Sequence, residues 1–281
     1  MDLMKIPFQI ANRVNLIVFP VVFLILLSAC TGTQVDPRIP PDFSGYQDQQ
    51  LPPEVAVWLI EGPQTELTPA IISVSDQIRG ANRRERMYKA VDYVWANFKY
   101  DNWLNDRAFA RSANELFETR ILGGCSDFAL AQVTLFRAVG VPARMILTAN
   151  TEWMADFKEN DLLITTGHVF IEAYLEDRWH LIDSTYRLMF EGYNPRLRSF
   201  PRNEYLFKRA KDYWSLGIKD VASLDQVYQP MARMFDLAAY SDPKYPATKV
   251  YARWAWSEAQ SVESIAQRAT GKDPTAKSKA Q

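Results

Sequence analysis

The sequence predicts an α+β domain, and three changes of texture along the chain predict it. Between residues 83 and 139 apolar side chains recur at helical spacing; between 143 and 183 they alternate as in strands; from 203 the helical spacing returns. Of the 281 residues, 48% are hydrophobic and 23% charged, enough to bury a core and too apolar for a disordered or collagen-like chain. The 32 basic and 33 acidic residues nearly cancel, so no global field draws in nucleic acid. Only two cysteines, Cys30 and Cys125, and two histidines, His168 and His180, are present. That supply excludes a disulfide scaffold and a multi-ligand zinc finger.

Taken in order, Met1 to Asn15 carries Lys5 and Arg13, and Leu16 to Leu27 is apolar except for Pro20. At about 1.5 Å per residue this run spans roughly 18 Å, short of a hydrocarbon core of about 30 Å. A positive flank, a short apolar run and small residues make a secretory signal over 1–29. Its end, Leu27-Ser28-Ala29-Cys30, resembles the bacterial lipobox. That resemblance implies cleavage before Cys30, lipid on Cys30, and a membrane-anchored, non-spanning protein of the bacterial cell envelope. In a Gram-negative cell it implies the periplasmic face of the outer membrane. Residues 30–72 read as a Pro-rich tether, or a strap over the domain, because seven of the 16 prolines fall between Thr31 and Pro69.

The domain proper is expected over 73–215. Helices are predicted over Arg83 to Phe98, Arg111 to Glu118 and Cys125 to Val139, the last closed by Gly140 and Pro142. Strands are predicted over Ala143 to Ala149, His168 to Leu175 and Arg178 to Asp183. Pro195 to Pro201 reads as loop, and Asn203 to Trp214, Val227 to Tyr240 and Lys249 to Ala269 as helix. Residues 216–281 are thus expected to be a helical C-terminal extension with a frayed tail.

Two segments carry chemistry. Gly123-Gly124-Cys125-Ser126-Asp127-Phe128-Ala129 places Cys125 at a helix start, where unpaired N–H groups and the helix dipole favour a thiolate. Ala129, Val133 and Phe136 would pack one side of that helix into the core. A lone cysteine is most often a small buried hydrophobe. A single thiol kept in an exported chain, with Cys30 taken by lipid, argues for a use. The second segment runs from Thr166 to Asp183 and reads as a hairpin about Glu176-Asp177. A two-residue loop pairs Leu175 with Arg178, Tyr174 with Trp179, Glu172 with Leu181 and Phe170 with Asp183. His168 then shares a face with Asp183, its diagonal neighbour at about 7–8 Å, while His180 points to the other face. Cys125, His168 and Asp183 in that arrangement suit nucleophilic acyl transfer: thiol, base and orienting carboxylate. The Cys125 N–H would help hold an oxyanion.

These residues resemble the transglutaminase-like superfamily of papain-type thiol enzymes. The resemblance covers roughly Arg83 to Tyr186. It rests on Phe98-Lys99-Tyr100, Gly124-Cys125-Ser126-Asp127-Phe128-Ala129, Leu135-Phe136-Arg137-Ala138-Val139-Gly140-Val141-Pro142-Ala143-Arg144, Gly167-His168-Val169-Phe170-Ile171-Glu172 and Trp179-His180-Leu181-Ile182-Asp183-Ser184-Thr185. It implies a papain-like core, a nucleophile helix packed on an antiparallel sheet, with nucleophile, base and third member at Cys125, His168 and Asp183. Fold and triad leave the substrate open.

The neighbours have plainer readings. Tyr100 and Trp103 are candidates for the cleft or an oxyanion donor, and as aromatics beside a helix end they suit packing. Glu172 and Arg144 suit structural hydrogen bonds and ion pairs. Arg196, Arg198, Arg202, Lys208 and Arg209, with Glu204, read as a solvated face. A metal on Cys125, His168 and Asp183 would find three protein ligands only, so neither a metal nor any other cofactor is expected. The sequence thus favours hydrolysis of a peptide or isopeptide of an envelope protein. A non-catalytic assembly lipoprotein and an amine-accepting cross-linker are the alternatives.

Overall fold

The computed structural model describes residues 43–101, 107–159, 165–191, 193–236 and 251–255. The signal sequence, the Cys30 lipobox and Trp103 lie outside the described residues, as does most of the helix expected over Lys249 to Ala269.

Seven helices and nine strands are described. The nucleophile segment begins the central helix, α5 (Cys125–Ala138). Every residue from Ser126 to Arg137 is buried, so this helix is not the one-sided amphipath that Ala129, Val133 and Phe136 suggest. The reason is its surroundings. Helices α2 (Pro69–Ser75), α3 (Arg83–Asn97) and α4 (Ala113–Thr119) pack on it, and so do strands β3 (Ala143–Asn150) and β4 (Val169–Leu175). Local chemistry starts and stops these helices. The Asn82 side chain caps α3 by accepting the Glu85 N–H at 2.9 Å, and Ser112 with Glu115 forms a capping box on α4. Gly140, at φ 79°, carries the chain out of α5 in a left-handed turn that a glycine adopts freely.

A seven-stranded antiparallel sheet lies beside α5. The remaining strands are β1 (Lys99–Tyr100), β2 (Ile121–Leu122), β5 (Arg178–Asp183), β6 (Leu188–Glu191), β7 (Ser199–Phe200), β8 (Glu204–Ala210) and β9 (Tyr251–Ala255). The sheet order is β7-β8-β3-β4-β5-β6-β9, while β1 and β2 form a separate parallel pair. The predicted hairpin register holds: Leu175 pairs with Arg178, Tyr174 with Trp179 and Glu172 with Leu181. Glu176 and Asp177 form its two-residue loop at φ 44° and 59°, the left-handed pair that matches strand twist. Alternation splits the sheet's apolar side chains. Val169, Ile171, Ala173 and Ile182 join the α5 core; Phe170, Leu181, Leu188 and Phe200 form a second cluster with Ile146 and Leu206.

Four expectations need correction. Asn203 to Trp214 is not a helix; it contains β8, paired with β3 from Asn150–Glu204 to Met145–Ala210. Its apolar residues Leu206, Phe207 and Ala210 suit either period, and a partner strand 60 residues earlier decides the outcome. Residues 251–255, expected helical, are strand β9 on β6. The expected loop Pro195 to Pro201 contains strand β7. The helix expected over Val227 to Tyr240 begins earlier, as α7 (Val221–Met234), because Asp220 and Ser223 make a capping box at its start.

The Pro-rich stretch, from residue 43 on, packs against the domain as a strap. It includes α1 (Pro53–Ala56), and beyond it Gln64 and Thr65 are buried. Gln64 Nε2 donates to the carbonyls of Phe109 and Arg111 at 3.1 and 2.8 Å, and its N–H to Asp212 at 2.9 Å. Arg137, at the end of α5, binds Thr65 Oγ1 at 2.8 Å and the Ala143 and Lys211 carbonyls at 3.0 and 2.8 Å. Among the described residues no helix is long and apolar enough to cross a membrane.

The hairpin loop is tied to α3. Arg84, 2% exposed, donates to both oxygens of Glu176. Burial pushes the Glu176 carboxyl up, but the Arg84 and His180 hydrogen bonds and the Arg84 charge outweigh it and hold its pKa at about 2. A depressed carboxylate stabilises the fold fully above its unfolded value of 4.5, and the contribution fades as pH falls toward 2. Urea unfolding of the wild type and Glu176→Gln should therefore differ at neutral pH and converge between pH 4.5 and about 2.

Candidate active site

The site lies where the start of α5 meets the ends of β4 and β5. Cys125 is the first residue of α5 and is partly exposed, while the helix behind it is buried. Its approach is fixed by polar contacts. The Gly123 N–H donates to Asp127 Oδ2 at 2.6 Å, Arg111 pairs with the same carboxylate, and Arg111 Nη1 donates to the Ile121 carbonyl at 2.8 Å. Asp127, 5% exposed, thus ties the incoming strand β2 to the first helical turn. Gly124 is extended, at φ 168°, a conformation open to any residue. The tight turn expected of the two glycines is therefore not what Gly124 supplies.

His168 stands just before β4, and its neighbour Gly167 has a steric reason to be glycine. A Cβ there would lie 2.2 Å from the Thr148 carbonyl oxygen. The absent side chain lets 166–168 lie close along β3, where the Thr148 N–H donates to the His168 carbonyl at 3.1 Å. The His168 ring packs edge-on to Phe170, with centroids 4.7 Å apart. Nε2 lies 3.0 Å from Asp183 Oδ1, close but not squarely aligned for a hydrogen bond. The Cys125 sulfur is close enough to the imidazole to raise its pKa. The structure thus brings Cys125, His168 and Asp183 together.

Asp183, 1% exposed, is held twice. Its Oδ1 accepts the Thr185 and Tyr186 N–H groups at 3.1 and 3.3 Å. The next carbonyl, Ser184, accepts from Trp95 Nε1 on α3 at 3.2 Å and Gln132 Nε2 on α5 at 3.3 Å. Both helices that flank the nucleophile therefore fix the chain beside the carboxylate.

Burial alone would pull the His168 pKa down. The Asp183 carboxylate 3.0 Å away, with the Cys125 sulfur, overrides it and raises the value to about 10. His180 differs. It is buried on the opposite face beside Arg84 and Arg178, and burial lowers its pKa despite a Glu176 contact. One histidine is thus built to be a cation and the other to be neutral.

Tyr100 reaches the site through the β1–β2 pair, where it sits beside Leu122, three residues before Cys125. It is 44% exposed. Burial and the neighbouring Cys125 and Tyr186 raise its phenol pKa, so it stays a neutral donor at the rim. Glu172 is fully enclosed by Arg144, Arg209 and the Tyr193 hydroxyl, and Arg144 lies 4.0 Å from the Trp179 ring. That is a structural cluster away from the sulfur. It also corrects the reading of 196–209 as one solvated face: Arg209 is spent on Glu172, and Glu204 is 4% exposed. Arg202 lies 4.6 Å from the Tyr186 ring and 3.9 Å from Asp183 Oδ2.

Sequence reasoning passed over Asp127, Thr148 and Glu204. Asp127 stood inside the quoted motif and was readable as a helix-start acid at i+2 from the sulfur. Thr148 and Glu204 gave no local signal, since both act through strand pairing.

A residue whose folded pKa is raised stabilises fully below its unfolded value, 6.5 for His168, and loses that contribution as pH rises through about 10. The stability gap between wild type and Asp183→Asn, followed by urea unfolding, should therefore narrow from pH 6.5 to 10. Gly167→Ala should slow alkylation of Cys125 by about tenfold or more at constant pH, because the added methyl forces the His168 strand off β3.

A family comparison agrees with this architecture. Residues 72–184 match the model of the transglutaminase-like superfamily. No curated protein matches the chain. Among solved structures, a cysteine-protease candidate from Cytophaga hutchinsonii is 19% identical over 58% of this chain and 49% of its own, with a TM-score of 0.43. A TGase is 22% identical over 48% of this chain and 34% of its own, at 0.29. EGTA-treated LapG of Legionella pneumophila is 17% identical over 65% and 96%, at 0.35. The chain thus spans about half of the first of these proteins and a third of the second. With a helix-borne cysteine beside an antiparallel sheet in this order, residues 72–184 are similar to the transglutaminase-like superfamily.

Proposed function

We propose that the protein is a thiol acyl-transfer enzyme that hydrolyses a peptide or isopeptide amide through a thioester on Cys125. The observation that carries this reading is the His168 imidazole, 3.0 Å from the Asp183 carboxylate, within the influence of the Cys125 sulfur and favoured as a cation. In the first step the sulfur attacks the amide carbonyl. A tetrahedral oxyanion forms, served by the Cys125 N–H at the open end of α5 and by the Tyr100 hydroxyl. The imidazolium then gives its proton to the departing amine, and a thioester remains. Water, deprotonated by the neutral imidazole, attacks that thioester and restores the thiol. Asp183 keeps the ring oriented and balances its charge throughout.

We place this activity in the bacterial cell envelope, with lipid on Cys30, on the strength of the apolar run and Leu27-Ser28-Ala29-Cys30. The substrate on this reading is an envelope peptide or protein.

Trapping tests the chemistry. Envelope extract incubated with the full chain and quenched in acid should yield a hydroxylamine-sensitive adduct on the Cys125 peptide. Cys125→Ala should fold normally and yield none. His168→Ala and Asp183→Asn should lower adduct formation by about a hundredfold or more, while His180→Ala leaves it near wild type. An equal loss in His180→Ala would contradict the assignment. A labelled amine that appears in the product more readily than water would turn the reading from hydrolase to cross-linker.

A further inference from the structure

We propose that Glu204, acting with Thr148, is a positioning residue for His168: it clamps the main chain of the histidine so that the imidazole meets the Cys125 sulfur. This rests on the acyl-transfer reading above and assigns a further residue to it.

Glu204 opens β8 and is 4% exposed, an unusual place for a carboxyl group. Its Oε2 is used on Thr148 of β3. The His168 main chain is also among the groups that hold the Glu204 pKa down. Thr148 Oγ1 lies 2.7 Å from Glu204 Oε2 and 2.9 Å from the His168 carbonyl. The His168 carbonyl is therefore held by the N–H and the hydroxyl of Thr148, and that hydroxyl is shared with Glu204 of a second strand. The strand register makes this possible, because β3 lies between β4 and β8.

Thr148 has one hydroxyl proton and two acceptors within reach. With Glu204 protonated, its carboxyl proton goes to Thr148 Oγ1 and the threonine proton is free for the His168 carbonyl. With Glu204 ionised, the threonine donates to the carboxylate and the carbonyl keeps only the Thr148 N–H. Burial raises the Glu204 pKa, against the Thr148 hydrogen bond and the His168 and Arg202 charges, so the first arrangement is favoured as pH falls. Around this pair stand Cys125 of α5 and Asp183 of β5 on the imidazole side. Arg202, preceding β8, and Tyr228 of α7 stand on the carboxyl side.

The test is the pH profile of Cys125 alkylation by iodoacetate on the full chain, read at the Cys125 peptide by mass spectrometry. An anionic reagent reports the thiolate while the imidazolium persists, so the wild-type rate should fall at high pH. Glu204→Ala should lower the plateau rate by about tenfold or more. Glu204→Gln keeps a donor for Thr148 Oγ1, as the protonated glutamate does, and should restore the plateau, while its falling limb moves to lower pH by about one unit. Thr148→Val should lower the plateau without moving the limb. If Glu204→Ala fails to fold, Glu204→Gln decides alone: a displaced limb supports the proposal and an unmoved one overturns it. A His168→Ala profile identical to wild type would overturn the acyl-transfer reading itself. A flattened His168→Ala profile with wild-type profiles for the Glu204 and Thr148 variants would overturn the positioning role only.

Discussion

The structure depends on keeping a positively charged imidazole where burial opposes it. His168 is 5% exposed, and an isolated histidine at that depth would be neutral. The cost is offset because Asp183 stands 3.0 Å away and the Cys125 sulfur also favours the charged ring. Each partner helps only if it cannot drift, and each is fixed through its backbone. Asp183 is bound to the turn that follows it, Cys125 sits on a stapled helix start, and His168 lies against a strand that a glycine lets approach.

The two halves of the fold meet at these groups. Helix α5, enclosed by three helices and the sheet, gives the sulfur a rigid mount. The sheet supplies base and carboxylate from adjacent strands, whose hairpin register sets their separation. The Ser184 carbonyl joins the halves, since α3 and α5 both donate to it directly after Asp183. Displacement of either helix would thus disturb the carboxylate as well as the nucleophile. The strap reinforces the far end of α5 through Arg137, whose own pKa burial lowers to about 10 against the Asp212 and Glu61 charges. His180, the other histidine, serves the hairpin loop as a neutral partner of Arg84 and Glu176, a structural use on the opposite face.

What could be read from the sequence was what local rules control. The hairpin was legible because a two-residue loop between alternating runs admits one register, and that register alone separates His168 from His180. The start of α5 was legible from its glycines and apolar spacing, although the extended φ of Gly124 shows that the turn argument was not the operative one. The strand β8 was not legible. Its short apolar run suits helix or strand, and pairing with β3 is a non-local event. With β8 read as helix, Glu204 counts as one charge in a solvated cluster, and its contact with Thr148 is out of sight. The strap was half legible: prolines announced extended chain, but burial of Gln64 and Thr65 follows from Asp212 and Arg137, far along the sequence.

The most direct measurement is an NMR titration of the His168 ring nitrogens in the folded protein, alone and with Cys125→Ala. The account predicts an imidazolium that persists well above pH 7, toward about 10, and a titration that moves when the sulfur is removed. A ring that titrates near 6.5 and ignores the loss of Cys125 would contradict it.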